Sequence, residues 1–217
     1  MRRLSDKFLH TALDVLSPGP YYCYSCGNED ELNEQGLCVE CAAQIRFCPN
    51  PTWLPPLDGL SIGVQYTDPI KKAVLGLKIG RNYAFVPFLA QYMQIPPEWK
   101  ADLLIPVPMH PFHEFLRGFN QSVLLAEYVS AQSGIPYTQE LLYKTKLTKQ
   151  QKRLTGDSRR KNVRGSFQAE PACNGLRLIL IDDVFTTGAT IYECAKVLKK
   201  AGALDVYACC VASPSKD

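Results

Sequence analysis

At 217 residues, 46% hydrophobic and with a formal net charge of +3, the chain can bury one sizeable core and still carry a small appendage. It contains no run of about 18 apolar residues, which disfavours a transmembrane helix and integral membrane association. No internal repeat or low-complexity tract is visible, so solenoid and disordered architectures are set aside as well.

The first residues, MRRLSDKFLHTALDVLSPG, begin basic, but Asp6, Lys7, His10 and Asp14 interrupt what a secretory signal would need as an apolar stretch. They read as a short amphipathic helix with Leu4, Phe8, Leu13 and Leu16 on or near one face, ended by Pro18 and Gly19. A cytoplasmic protein is expected.

Of nine cysteines, four form two C-x-x-C pairs, Cys23 with Cys26 and Cys38 with Cys41, separated by eleven residues. Two tight knuckles at this spacing converge on one tetrahedral ion, with Gly27 and Gly36 helping each turn. Zn²⁺ is the natural ion, and its role is structural, because four thiolates leave no open coordination position. A redox dithiol is the alternative reading of any C-x-x-C. Cys48 stands apart as a spare or a replacement ligand, while Cys194, Cys209 and Cys210 read as small buried apolar residues.

The proline-rich stretch NPTWLPPLDG links this module, residues 1–50, to a main domain, residues 58–217. Ser61 to Tyr66 reads as a strand. Ile70, Ala73, Val74 and Leu77 then recur at helical spacing behind Pro69, and Lys78 closes that helix. A short helix over 83–93, a buried strand over 102–107 and a helix over 121–133 follow, with PMHPFHEFLRGFNQS between the last two read as a loop. Further strands are expected at 141–144 and 166–169. His110 and His113 read as ordinary loop histidines.

The charge is concentrated. From Lys144 to Arg164 there are nine basic residues and a single acid, Asp157, so the remainder of the chain is net acidic. After it comes LILIDDVFTTGAT, residues 178–190. Four large aliphatics bounded by polar residues suit a strand buried on both faces of a parallel sheet. Asp182 and Asp183 then fall at its carboxyl end, where open α/β sheets bind ligands. Thr186, Thr187, Gly188, Ala189 and Thr190 lead into a helix over 189–201, whose free N–H groups suit a phosphomonoester. A final strand lies at 206–212, and the alternation of strands and helices argues a parallel, doubly wound sheet. The plain alternative for the acid pair and loop is an Asp-Asp turn with a helix N-cap and no ligand.

The 178–190 run resembles the 5-phosphoribosyl 1-diphosphate (PRPP) motif of type I phosphoribosyltransferases. The resemblance implies that Asp182 and Asp183 hold the ribose hydroxyls, that Thr186, Thr187, Gly188, Ala189 and Thr190 hold the 5-phosphate, and that Mg²⁺ accompanies the donor. Arg117 and Gly118 match a loop that meets the diphosphate, and Lys78 is kept as a further diphosphate contact beside its plainer reading as a helix-dipole cation. PVP, then RGFNQ, then an aliphatic helix, together with the cysteine pairs, resembles the ComF family of competence-associated phosphoribosyltransferase-like proteins, from Cys23 to the C-terminus. Thr148, Gln151, Leu154, Arg160, Asn162, Gly165 and Phe167 fit that family's stretch in the basic segment. It implies a mobile catalytic loop bearing Lys146 and Arg160, with Lys146 where the family often has arginine.

The expected fold is therefore an α/β, type I phosphoribosyltransferase-like doubly wound sheet with a small N-terminal zinc-ribbon-like module. The resemblance implies PRPP and single-stranded DNA as partners, a competence helicase or uptake component as a further candidate, and a role in DNA uptake. No acceptor pocket is legible. Two other functions stay open: a nucleic-acid-binding scaffold without turnover, and a nucleobase-salvage transferase, which the cysteine module disfavours.

Overall fold

The computed structural model describes residues 22–49, 51, 53, 55–147 and 161–214. The N-terminal helix read from the sequence, and most of the basic segment, lie outside the described residues. The chain divides into two units. One joins the residues up to Arg46 with Thr67–Leu89; the other joins Phe47–Tyr66 with the chain from Ala90 onward.

The first unit carries the four cysteines of the paired motif, the short helix α1 (Val39–Ala42), α2 (Asp68–Lys78) and all but the last residue of α3 (Phe85–Ala90). It thus takes in helices from beyond the proline-rich segment. Pro69 opens α2 where its missing N–H costs nothing, and Ile70, Ala73, Val74 and Leu77 form its buried stripe. Gly76 leaves room for the ring of Phe85, and Tyr24 packs on Phe85 and Phe88 with ring centroids 5.5 and 5.2 Å apart. Aromatic packing thereby binds the cysteine turns to the two helices.

The second unit is built on a four-stranded sheet in the order β1 (Gly59–Gln65), β6 (Asp205–Ser213), β5 (Arg177–Val184), β2 (Leu103–Pro106), with every pairing parallel. Leu178, Leu180, Val206, Ala208 and Cys210 share one buried cluster with Ile191, Cys194, Ala195 and Leu198 of helix α6 (Ala189–Lys200). Ile179, Ile181, Cys209 and Val211 alternate with them along the strands and are equally buried. Helix α5 (Gln121–Ser133) lies against β2 and β5. Both faces are covered, as parallel strands with near-continuous apolar runs require, so the doubly wound sheet expected from the sequence is present. The outer edges are covered too. Phe47 bridges Val64 beside β1, and Tyr137 bridges Leu104 beside β2.

Two local structures differ from the sequence reading. Pro111–Arg117, expected as a loop, forms helix α4: His110 Nδ1 accepts from the Phe112 N–H at 3.1 Å, Pro111 stands in the first turn, and Gly118 ends the helix at φ +86°. None of its residues is buried, so it leaves no core-facing apolar stripe to read. The short strands β3 (Leu142–Lys144) and β4 (Phe167–Ala169) do not join the parallel sheet but pair antiparallel as a separate ribbon, Lys144 opposite Phe167. Their inward residues, Leu142 and Phe167, enter the same cluster as α6.

Close backbone approach in the second unit generates a test. A Cβ on Gly63 of β1 would collide with the backbone carbonyl of Tyr92, which cannot rotate away as a flexible side chain could. Gly63→Ala is expected to destabilise the protein by roughly 1–3 kcal/mol, read as a lower urea midpoint with an unchanged denaturant slope.

Candidate functional site

The carboxyl ends of the parallel strands gather the acid pair, the Thr/Gly loop and the turn after α4. Asp182 and Asp183 close β5, and strand alternation sends them to opposite faces: Asp182 to the face of Leu178 and Leu180, Asp183 to the face of Ile179 and Ile181. Asp182 is half-buried and Asp183 is only 4% exposed. Asp182 Oδ1 accepts two hydrogen bonds of 3.0 Å, from Ser122 Oγ and from the Asp183 N–H. Each favours the ionised carboxylate.

Ser122 is the residue that joins two sequence motifs, and the motif reading does not include it. It sits in the first turn of α5, whose N-cap Asn120 accepts from the Ser122 N–H at 3.0 Å and donates through Nδ2 to the Val107 carbonyl at 3.0 Å. Asn120 therefore ties the start of α5 to the end of β2, and Ser122 then reaches Asp182. Arg117, at the end of α4, donates to Gln121 Oε1 at 2.7 Å, so its guanidinium is oriented beside this same turn. The only sequence sign of Ser122 is its place two residues after an N-cap asparagine.

After β5 the loop turns sharply. Gly188 has φ +72°, and a Cβ there would meet the rings of Phe185 and Tyr192 at 2.6 and 2.7 Å, so both backbone conformation and space require glycine. Thr187 Oγ1 accepts weakly from the Ala189 N–H at 3.4 Å. No side chain caps α6 and no acid stands in its first turn, leaving the N–H groups that begin this 12-residue helix available to an anion. Thr186 is exposed and Thr190 half-buried.

The other expected site residues fall elsewhere. Lys78 ends α2 in the first unit, as a half-buried cation in its last turn. Lys146 is exposed just after β3, and Arg160, Thr148, Gln151 and Leu154 lie outside the described residues. Lys144 was not singled out by the sequence, yet its ammonium lies 5.5 Å from the Phe167 ring centroid, on the inward face of the ribbon.

In the first unit, one sulfur from each of Cys23, Cys26, Cys38 and Cys41 lies within 4.8 Å of the other three, and all four thiols are free. The turns that present them carry Gly27 at φ +77° and Gly36 at φ +75°. The Cys26 and Cys38 sulfurs are 3.8 Å apart, the spacing of about 3.8 Å that tetrahedral geometry gives for metal–sulfur bonds of ~2.3 Å. Burial alone would raise Cys23, but the N–H groups of Cys26, Cys38 and Ser25 outweigh it and hold that thiol at about 6. Burial pushes Cys41 up to about 12. Crowded sulfurs of such different acidity can all ionise together only around a cation, and the cluster can hold a metal ion. Burial also raises Cys194, Cys209 and Cys210, which fits their reading as inert core residues.

Asn120→Ala removes both the cap of α5 and its tie to β2. A loss of about 1–3 kcal/mol is expected, measured by urea unfolding, with the conservative Asn120→Asp retaining the cap but not the donor to Val107.

No protein-family model matches the chain. Among solved structures, an allosteric regulatory enzyme of purine biosynthesis is similar at 24% identity and TM-score 0.37 over 57% of this chain. Glutamine PRPP amidotransferase from B. subtilis gives 22% and 0.37 over 65%. The chain spans only about a quarter of the length of either, 23% and 27%. Among curated proteins it is 27% identical to DNA utilization protein YhgH of Salmonella typhimurium, covering 88% of this chain and 96% of that protein. It is 29% identical to Competence protein F of Haemophilus influenzae, covering 85% and 81%, and 27% identical to Competence protein ComFC of Bacillus subtilis, covering 88% and 83%. Similarity that runs through the cysteine module and the sheet alike places this chain in the ComF family.

Proposed function

We propose that the protein binds PRPP with Mg²⁺ at the carboxyl edge of its sheet, as a phosphoribosyltransferase-like member of a DNA-uptake or DNA-utilization process. The observation that carries the reading is the unbroken course of β5 into Asp182 and Asp183, then into a glycine-pinned loop and the uncapped start of α6. The 5-phosphate takes the N–H groups around Gly188 to Thr190 together with the hydroxyls of Thr186, Thr187 and Thr190. The ribose hydroxyls donate to Asp182 and Asp183. Arg117 and the backbone at Gly118 meet the diphosphate, where a planar guanidinium pairs well with phosphate oxygens. Lys146 and Arg160 add charge from the basic segment, and Lys78 is assigned to the diphosphate with them.

The donor set fits Mg²⁺, a hard ion that prefers carboxylate, phosphate and water oxygens. When bound, it would neutralise charge on the departing diphosphate. What the chain itself supplies is orientation of the donor, cations at its anionic ends and exclusion of water. No covalent nucleophile is required of it. The cysteine cluster fits Zn²⁺ in a closed, structural site.

Names of the relatives support the process rather than the chemistry: competence and DNA utilization. With the basic segment they favour single-stranded DNA as a partner, through phosphate contacts from lysine and arginine. A helicase or other uptake component remains the protein partner of choice on the same grounds.

Calorimetric titration with Mg²⁺ and PRPP tests the donor site. Wild type is expected to bind, and the folded Asp182→Asn/Asp183→Asn variant is expected to lose more than about tenfold in affinity, the effect of one or more lost charge-assisted hydrogen bonds. No binding by folded wild type would refute the reading. DNA binding should weaken steeply with salt and survive the same double substitution. For the module, Cys41→Ser or strong chelation is expected to release about one zinc per chain and to unfold the first unit, followed by metal analysis and circular dichroism.

A further inference from the structure

We propose that Lys144 is a positioning residue of this donor site, its ammonium holding Asp182 ionised and aimed at the ribose hydroxyls. The inference rests on the donor-site reading and adds a residue that no motif supplies.

The geometry follows from two strands that share one cluster. On β5, Leu178 and Leu180 point into the cluster beneath α6, and Asp182 continues on the same face two residues on. On the antiparallel ribbon, Leu142 points into the same cluster while Tyr143 turns outward at 41% exposure, so Lys144 again points inward, opposite Phe167. Phe167 is 3% exposed and Lys144 Nζ lies over its ring, 5.5 Å from the centroid. The lysine stem is thereby held against the core, with the ammonium at the rim of the cluster where Asp182 stands.

The surrounding charges support this placement. Burial lowers the affinity of Lys144 for its proton, and the two groups that oppose that effect are Cys194 of α6 and Asp182 of β5. Cys194 in turn is raised by burial, then by Asp182, with Lys144 lowering it and Glu193 raising it further. Cys210 of β6, which pairs with Asp182 in register, is raised by burial and then by Asp182, Cys209 and Asp183. Among these neighbours Lys144 is the one cation, facing an acid pair and two thiols. Among the described residues Lys144 makes no ion pair within 4 Å, which leaves its charge undivided for Asp182 and a bound donor. Without that cation, two adjacent carboxylates would repel one another, and one would take up a proton more readily.

The test compares wild type with Lys144→Met and Lys144→Arg as full, zinc-replete chains. Methionine keeps an aliphatic stem over Phe167 and removes only the charge; arginine keeps the charge. Carbon-detected NMR titration of the Asp182 carboxyl, without ligand, should show a higher midpoint in K144M and a wild-type midpoint in K144R. The affinity for Mg²⁺ with PRPP at neutral pH should fall on the order of tenfold in K144M, what a change of about one pKa unit in favour of the protonated acid represents, and recover in K144R. A purely structural lysine moves neither readout. Wild-type binding with an unchanged K144M would overturn this inference alone. A shifted Asp182 titration in a protein that binds no PRPP would overturn the donor-site reading, and with it the role given to Lys144.

Discussion

Strand β5 has to satisfy two opposing demands. It must be apolar enough to be buried on both faces at the centre of a parallel sheet, and it must deliver two carboxylates where that burial ends. Four aliphatics meet the first demand and the Asp182–Asp183 pair the second. The rest of the site is arranged around keeping those acids charged: Ser122 and the Asp183 N–H donate to Asp182, and Lys144 faces it from the ribbon. Because alternate residues of a strand face opposite sides, the pair spreads its oxygens to both faces of the sheet edge. A single acid could not do so.

The first unit meets a different constraint. Its knuckles are short and expose most of their polar residues, with Leu37 and the buried cysteines as their inward anchors. Too little apolar surface is available there for the turns to fold by burial alone. Four sulfurs drawn within 4.8 Å of each other supply the missing constraint once a cation removes their mutual repulsion. Stability in this unit and ligand binding in the other thus rest on the same physical device, acidic groups crowded beside compensating positive charge.

Much of the sheet was legible because its signals are local. The apolar run of β5, Asn120 before α5 and Gly134 after it, and Pro69 opening α2 each mark an element by side-chain chemistry alone. Helix α4 was not legible, since its capping depends on an unusual histidine N-cap and Phe112 and Phe115 face outward. The antiparallel pairing of β3 with β4 was hidden by strands of three residues each, too short for alternation to declare a partner. Ser122 and Lys144 were missed for a related reason. A serine in a helix first turn and one lysine among nine basic residues carry no mark of their own; their roles arise only when α5 and the ribbon are packed near Asp182.

The most direct measurement is a crystal structure of the full chain grown with ribose 5-phosphate and Mg²⁺. The account predicts the phosphate at the N–H groups of Gly188 to Thr190 and the ribose hydroxyls within hydrogen-bond distance of Asp182 and Asp183. A ligand seated elsewhere, or a loop left empty at a concentration that saturates binding in solution, would contradict it.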